Sequence, residues 1–255
     1  MCGSYCNELV SIITPAYNCG MYIIDTIESV LHQTYQQWEM IIINDYSTDK
    51  TLEIARKYSL QDNRIKLINL PNNSGVAKAR SSGLQAAHGR FIAFLDGDDY
   101  WLPTKLQNQV KFMQEKGAAF SYAQYRQFID DVNNIGKLID VYDEVKYKDL
   151  LKGNVIGCLT VMLDRQYIDE IVMPKEHHED YITWLGILKR GYIAHGLKED
   201  VARYRKNQGS LSGNKVRSAL WTWHVYRNVE KISLIESIYY FTCYIIQGIK
   251  KHNSV

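Results

Sequence analysis

Along the first 117 residues, short apolar runs alternate with segments of helical period. Val10–Thr14, Met40–Ile43, Ile65–Leu70 and Phe91–Leu95 are compact and mostly β-branched or aromatic, which predicts strands buried on both faces. Between them, Met21–Gln33 brings Ile23, Ile24, Ile27, Val30 and Leu31 to one helical face, and Thr51–Tyr58 and Val76–Ala87 read as further helices. Pro103 is expected to open another helix, as a favoured first residue, and Gly117 to close it. Strands alternating with helices make βαβ units around a parallel sheet. Beyond residue 118 the pattern is less regular, with short strands and a helix near Tyr181–Lys189. The expected organisation is one α/β domain in two halves, 1–117 and 118–213, followed by a helical extension, 214–255.

In an open parallel sheet, ligands bind beyond the carboxyl ends of the strands. Three polar bursts stand at such ends: Ala16-Tyr17-Asn18, Asn44 to Asp49, and Asp96-Gly97-Asp98-Asp99. The last is the sharpest. Carboxylates about 4 Å apart repel by about 4 kcal/mol at an effective dielectric near 20, and a divalent cation removes that cost. All-oxygen ligands favour Mg²⁺ or Mn²⁺ shared with substrate phosphates; the alternative is an acidic turn capping the next helix. Asp45 can accept a hydrogen bond from a nucleotide base, whereas Asp49 suits a helix N-terminus. Tyr17 can stack on a planar base or simply pack.

Asn73-Ser74-Gly75-Val76-Ala77-Lys78-Ala79-Arg80 sets a glycine at a helix start with cations following, which suits an anion such as pyrophosphate. The phosphate-loop and dinucleotide glycine patterns are both absent. His177-His178-Glu179-Asp180 precedes an amphipathic run, so Asp180 is either a general base or a helix cap. Arg203 and Arg205 would share one face of a strand, open to phosphate or to solvent as an edge strand, with Ser210-Leu211-Ser212 just beyond.

Composition narrows the classes. The chain has 255 residues, 46% hydrophobic and 23% charged, enough for a sizeable core. A net charge of +2 argues against a nucleic-acid binder as a whole. From Ala202 onward, however, nine Lys and Arg face only Glu230 and Glu236, a net of +7 on a body with a net of −5. Five unpatterned cysteines read as reduced thiols, and no leader-like start or spanning apolar run is present, so a cytoplasmic setting is expected. The aromatic, cation-flanked stretch 218–255 is either a hairpin packed on the body or an interfacial helix on an anionic membrane surface.

The motifs SIITPAYN, QTYQQWEMIIINDYSTDKT, NNSGVAKARSSGL and GRFIAFLDGDDYW, followed by HHEDYITWLGILKRG and ARYRKNQGSLS, resemble family 2 glycosyltransferases of the GT-A fold, especially bacterial surface-polysaccharide enzymes. The chain has Tyr46 where a second Asp or a Gly is common, and Ser81 where Asn is commoner. The resemblance implies a mixed, mainly parallel sheet flanked by helices. It also implies an inverting transfer of a sugar from a UDP-sugar to an acceptor hydroxyl, on a glycan or lipid-linked glycan. By the same resemblance, Asp45 would contact uracil, with Pro15, Ala16 and Tyr17 as the other wall. Asp98, with Asp96, would hold Mg²⁺ or Mn²⁺; Asp96 and Gly97 would also meet the donor, and Asp99 would touch the donor sugar or support the loop. Lys78 and Arg80 would lie near the donor, Asp180 would be the catalytic base, and His195 and Arg205 would reach metal or pyrophosphate. Residues 1–117 become the donor half and 118–213 the acceptor half. A metal-dependent sugar nucleotidyltransferase and a non-catalytic nucleotide-sugar-binding module are the competing classes; the first usually needs a glycine-rich N-terminal loop with a lysine, absent from Ser11–Cys19.

Overall fold

A computed structural model describes residues 6–129, 135–206 and 215–253; Ser210-Leu211-Ser212 lie outside the described residues. The element order is β1 (Cys6–Ala16), α1 (Ile23–Leu31), β2 (Trp38–Asn44), α2 (Thr51–Gln61), β3 (Ile65–Asn69), α3 (Val76–Ala86), β4 (Gly89–Phe94), β5 (Tyr100–Trp101) and α4 (Lys105–Lys116). There follow β6 (Phe120–Phe128), β7 (Ile135–Ile139), β8 (Glu144–Val145), α5 (Tyr147–Leu150), β9 (Met162–Asp164), α6 (Glu179–Lys189), β10 (Ala194–Arg205), α7 (Lys215–His224) and α8 (Leu234–Asn253). One sheet runs β3-β2-β1-β4-β9-β6-β10-β5, with β7 on β6 and β8 on β10. The first four strands are parallel, and β9 enters antiparallel between β4 and β6. Strands from both halves of the sequence thus share one sheet, with an apolar cluster on each face.

The β-branched runs form strands because both sheet faces are covered. Every residue of β2 is buried, and Ile12 and Ile13 of β1 belong to opposite clusters. Two local expectations shift. In α1 the buried face is Ile23, Thr26, Ile27, Ser29 and Val30, while Ile24 is exposed; Thr26 turns inward because its hydroxyl donates to the Asp99 carbonyl. Pro103 does not start α4: it lies inside the turn closed by Lys105 N–H to the Leu102 carbonyl, and Thr104 is the cap. Gly117 does end α4, in the left-handed conformation at φ 61°, and the following Ala118 N–H reaches back to Met113.

The C-terminal hairpin packs on the body along one side. Tyr226 donates to the Leu151 carbonyl, Glu230 accepts from Tyr147 and Lys189, and Trp223 meets Phe241 edge-on. No helix among the described residues is long and apolar enough to cross a membrane. Cys19, Cys158 and Cys243 are free thiols, and burial pushes Cys19 up to about 12, so its thiol stays protonated.

Candidate functional site

Three strand ends meet at one edge of the sheet. The Asp45 N–H donates to the Ala16 carbonyl and the Gly97 N–H to the Pro15 carbonyl, so the end of β1 is pinned between the end of β2 and the acidic loop after β4. That close approach requires glycine at 97. A Cβ there would lie 2.8 Å from Cys19 Sγ and 3.2 Å from the Pro15 oxygen.

Asp45 is buried, and its carboxylate accepts from the N–H groups of Ser74 (2.7 Å) and Gly75 (2.8 Å). The anion at the N-terminus of α3 is therefore this side chain, which corrects the expectation that Gly75 opens a seat for pyrophosphate there. Each carboxylate oxygen has a further lone pair, enough to accept a base N–H. Tyr17 and Tyr46 are both exposed beside it, and Tyr46 is held at φ 62°, an uncommon angle for a bulky residue. Asp49 is a capping residue: it accepts from the Thr51 and Gly20 backbones. Burial pushes its carboxyl up, but these hydrogen bonds outweigh that and hold it below the usual range.

The acidic loop divides its carboxylates among different tasks. Asp96 is one-third exposed and accepts from Arg80 Nη2 at 2.6 Å. Asp98 is half-buried, and its carbonyl accepts from Arg205 Nε at 2.9 Å. Asp99 is buried; one carboxylate oxygen accepts from the Arg205 N–H at 2.9 Å and the other has no partner. Burial, then the charges of Asp98 and Asp96, push Asp99 well above the usual carboxylate range, and its burial sets it under the loop rather than facing a donor sugar.

Arg80 joins this loop to the candidate base. From the buried side of α3 it donates to Asp96 and, through Nη1, to Glu179 Oε1 at 2.6 Å. Burial opposes its charge, but Asp96 and the carboxylates of Glu179 and Asp180 outweigh it, and the guanidinium stays protonated. Burial, reinforced by Asp180, holds Glu179 above its ordinary value despite Arg80. Asp180 follows in the first turn of α6, half-buried, with Oδ1 accepting from the Tyr181 N–H at 2.7 Å. The cap position is His178, in the left-handed conformation, so the chain turns sharply just before the acidic pair.

Three expected contacts fall elsewhere. Lys78 is exposed and lines a shallow cleft with Ser74, Ser81 and Lys175; it stands about 200° around α3 from Arg80, because two residues turn a helix that far. His195 lies at the start of β10, paired with Ser121 and near Glu144, whereas the acidic loop meets the far end of that strand at Arg205. With its bulges counted, β10 sets His195 opposite Ser121 and Arg205 opposite Phe128, seven residues apart on β6, which separates the two ends by roughly 23 Å, so His195 is no ligand of an ion held by Asp98. Arg203 and Arg205 are buried on an interior strand, neither solvated nor presented to phosphate. Arg203 pairs with Asp200; the Arg205 guanidinium lies 4.4 Å from the ring centroids of both Tyr22 and Phe128 and bonds Asp25. Arg205 holds the loop from below.

The donor set suits a hard cation. Asp96 and Asp98 offer two partly exposed carboxylates at a strand tip, and no cluster of three or more His, Cys, Asp or Glu placed to ligate a metal occurs among the described residues. Mg²⁺-like ions are commonly bound by one or two carboxylates plus substrate phosphates.

Comparison with known proteins identifies the family. The "Glycosyl transferase family 2" model matches residues 11–171. TuaG of Bacillus subtilis, a glycosyltransferase assigned to teichuronic acid biosynthesis, is 43% identical over 95% of this chain and 97% of its own length. WfgD of Escherichia coli, a UDP-Glc:α-D-GlcNAc-diphosphoundecaprenol β-1,3-glucosyltransferase, is 41% identical over 96% and 95%. Among solved structures, S. aureus TarS 1-349 in complex with UDP-GlcNAc shares the fold with a TM-score of 0.68 at 22% identity, over 86% of this chain and 67% of that one. The mannosyltransferase PcManGT from Pyrobaculum calidifontis, in complex with GDP-Man and Mn²⁺, gives 0.67 at 18%, over 88% and 64%. By the family model over residues 11–171 and by its kinship over nearly its full length, this chain is a glycosyltransferase and belongs to glycosyltransferase family 2.

Proposed function

We propose that the chain transfers a sugar, glucose being the first to test, from a UDP-sugar to a hydroxyl of a diphosphoundecaprenol-linked glycan. The observation that carries this is that Asp45 and the Asp96–Asp98 loop stand at neighbouring strand ends, while Arg80 joins Asp96 to Glu179, the residue beside Asp180. Relatives of more than 40% identity that align end to end supply the substrate class. Residues 1–117 then form the donor half and 118–213 the acceptor half, with Asp180 between them.

In this reading the uracil ring lies against the wall of Pro15, Ala16 and Tyr17, with its N–H on Asp45. Asp98 and Asp96 would hold Mg²⁺ or Mn²⁺, which supplies positive charge to the departing diphosphate. Asp180 accepts the proton of the acceptor hydroxyl as that oxygen bonds to the anomeric carbon and the UDP oxygen departs with the bonding pair. Such a base contributes about 10²–10⁴-fold. A single displacement inverts the anomeric centre, which turns an α-linked donor sugar into the β linkage that the relative's name carries.

The test is to incubate the purified chain with UDP-glucose, other UDP-sugars and a GlcNAc-diphospho-lipid, with Mn²⁺ or with EDTA. A glycosylated lipid and stoichiometric UDP, both lost with EDTA, support the reading. Pyrophosphate release from UTP and a sugar phosphate would replace it with the nucleotidyltransferase. No turnover with any donor would leave a binding module.

A further inference from the structure

The hairpin after residue 214 buries one side and leaves the other uncovered. On α8, Ser237 and Tyr240 are buried, and Tyr244 and Gln247 pack over Gly153. At about 100° per residue, Ile235, Ile238, Tyr239, Ile245 and Ile246 fall within an arc about 120° wide on the opposite side. All five are exposed, Ile235 at 82%. α7 adds Val216 and Leu220, one turn apart and both exposed.

Charge around this face is mainly positive. Glu230 is drawn inward by Tyr147 and Lys189, and Glu236 is tied to Ser233 at the first turn of α8, off the apolar arc. Lys215, Arg217 and Lys231 are exposed, and the last turns of α8 carry Lys250 and Lys251. An apolar stripe flanked by cations, on a helix not apolar enough to span, is the pattern of a helix lying in the plane of an anionic lipid surface.

The hairpin also touches the base-bearing turn. Trp221 of α7 stacks on His177, with centroids 4.1 Å apart and planes at 13°, and the His178 ring lies 3.3 Å from the Ser218 carbonyl. We infer that the Ile235–Ile246 face of α8 seats the enzyme on an anionic bilayer, with the hairpin holding the Asp180 turn at the membrane surface where a lipid-linked acceptor's sugar stands. The value of that placement rests on the proposed function; the docking surface itself stands on the exposed face and its charge.

The test is flotation of the full chain with phosphatidylglycerol–phosphatidylcholine vesicles and with pure phosphatidylcholine, at low and high salt. Ile235→Glu/Ile246→Glu is run beside it, with circular dichroism to check folding. Both positions are solvent-facing, so the fold should hold. The wild-type chain is expected to float with the anionic vesicles, less so at high salt, and the variant's bound fraction to fall about tenfold. Transfer to a water-soluble, short-chain acceptor should be equal in both. Wild type that stays in solution, or a variant that floats equally well, overturns the inference. So does a wild-type dimer in light scattering that the variant breaks without any vesicle binding, because a second copy would then own the face. Loss of transfer to the soluble acceptor in wild type would instead count against the proposed function.

Discussion

Replacing Arg80 with methionine removes the group that joins the acidic loop after β4 to the first turn of α6. The Arg80 side chain is 5% exposed, with Glu179 at 12% and Asp96 at 33%. Removing one member of a buried ion pair costs about 3–5 kcal/mol, because its partner keeps an uncompensated charge. Asp96 can rehydrate, so its share is discounted toward the 0–1 kcal/mol of an exposed pair. Glu179 bears the rest, and the expected loss is about 3 kcal/mol at neutral pH, a large part of an ordinary total stability of about 5–15 kcal/mol.

The pH dependence fixes the cause. Glu179 is already held above its unfolded value, and losing Arg80 raises it further. Between the two values the folded chain binds more protons than the unfolded one. Stability therefore falls as pH rises through that window, by about 1.4 kcal/mol for each pH unit the window spans. The variant should approach wild type in acid, where Glu179 is neutral, and fall behind as pH increases. Urea unfolding at several pH values measures this. Arg80→Met/Glu179→Gln removes both charges and should recover about 2 kcal/mol relative to additivity. A pH-independent loss under about 1 kcal/mol, with additive behaviour in the cycle, would refute the idea that a buried bridge joins the two halves of the site.

Asp98→Ala should abolish Mn²⁺-dependent UDP binding in calorimetry; unchanged affinity would remove Asp98 as a ligand. Asp180→Asn should keep UDP affinity and lower turnover by about 10²–10⁴-fold, and near-normal turnover would exclude it as the base. Asp99→Asn, which keeps the shape and removes the charge, should fold with stability close to wild type and with less of the decline that a raised carboxyl adds as pH rises, and a large thermal destabilisation at every pH would refute this. His195→Gln should leave metal-dependent UDP binding unchanged, and a measurable loss would contradict its place at the far end of β10.

The strands and helices of the first half were legible because each signal is local. A strand buried on both faces needs an unbroken apolar run, and its polar burst marks where the sheet stops; Asp45 and Asp96–Asp99 are found that way. The partners of Arg80 were not legible, since they lie 16 and 99 residues away and only the folded chain brings the loop after β4 and the start of α6 to one side of α3. His195 went astray for a related reason. A lone histidine in a strand carries no sign of which sheet end it occupies, and the parallel pairing of β10 with β6 sets that.

The same logic explains the arginines of β10. Alternating cations on a strand resemble a solvated edge, because an edge is the commonest way to keep such charges wet. Here the two-residue β5 covers that flank, and the charges are met from within, by Asp200 for Arg203 and by the carbonyl of Asp98, Asp25 and two aromatic rings for Arg205. Sequence carries the identity of a charged group but not the direction from which it is neutralised. In the proposed function that direction is what separates the roles: Asp98 and Asp180 are partly exposed, while Arg80, Asp99 and Arg205, equally polar in the sequence, are buried behind the acidic loop.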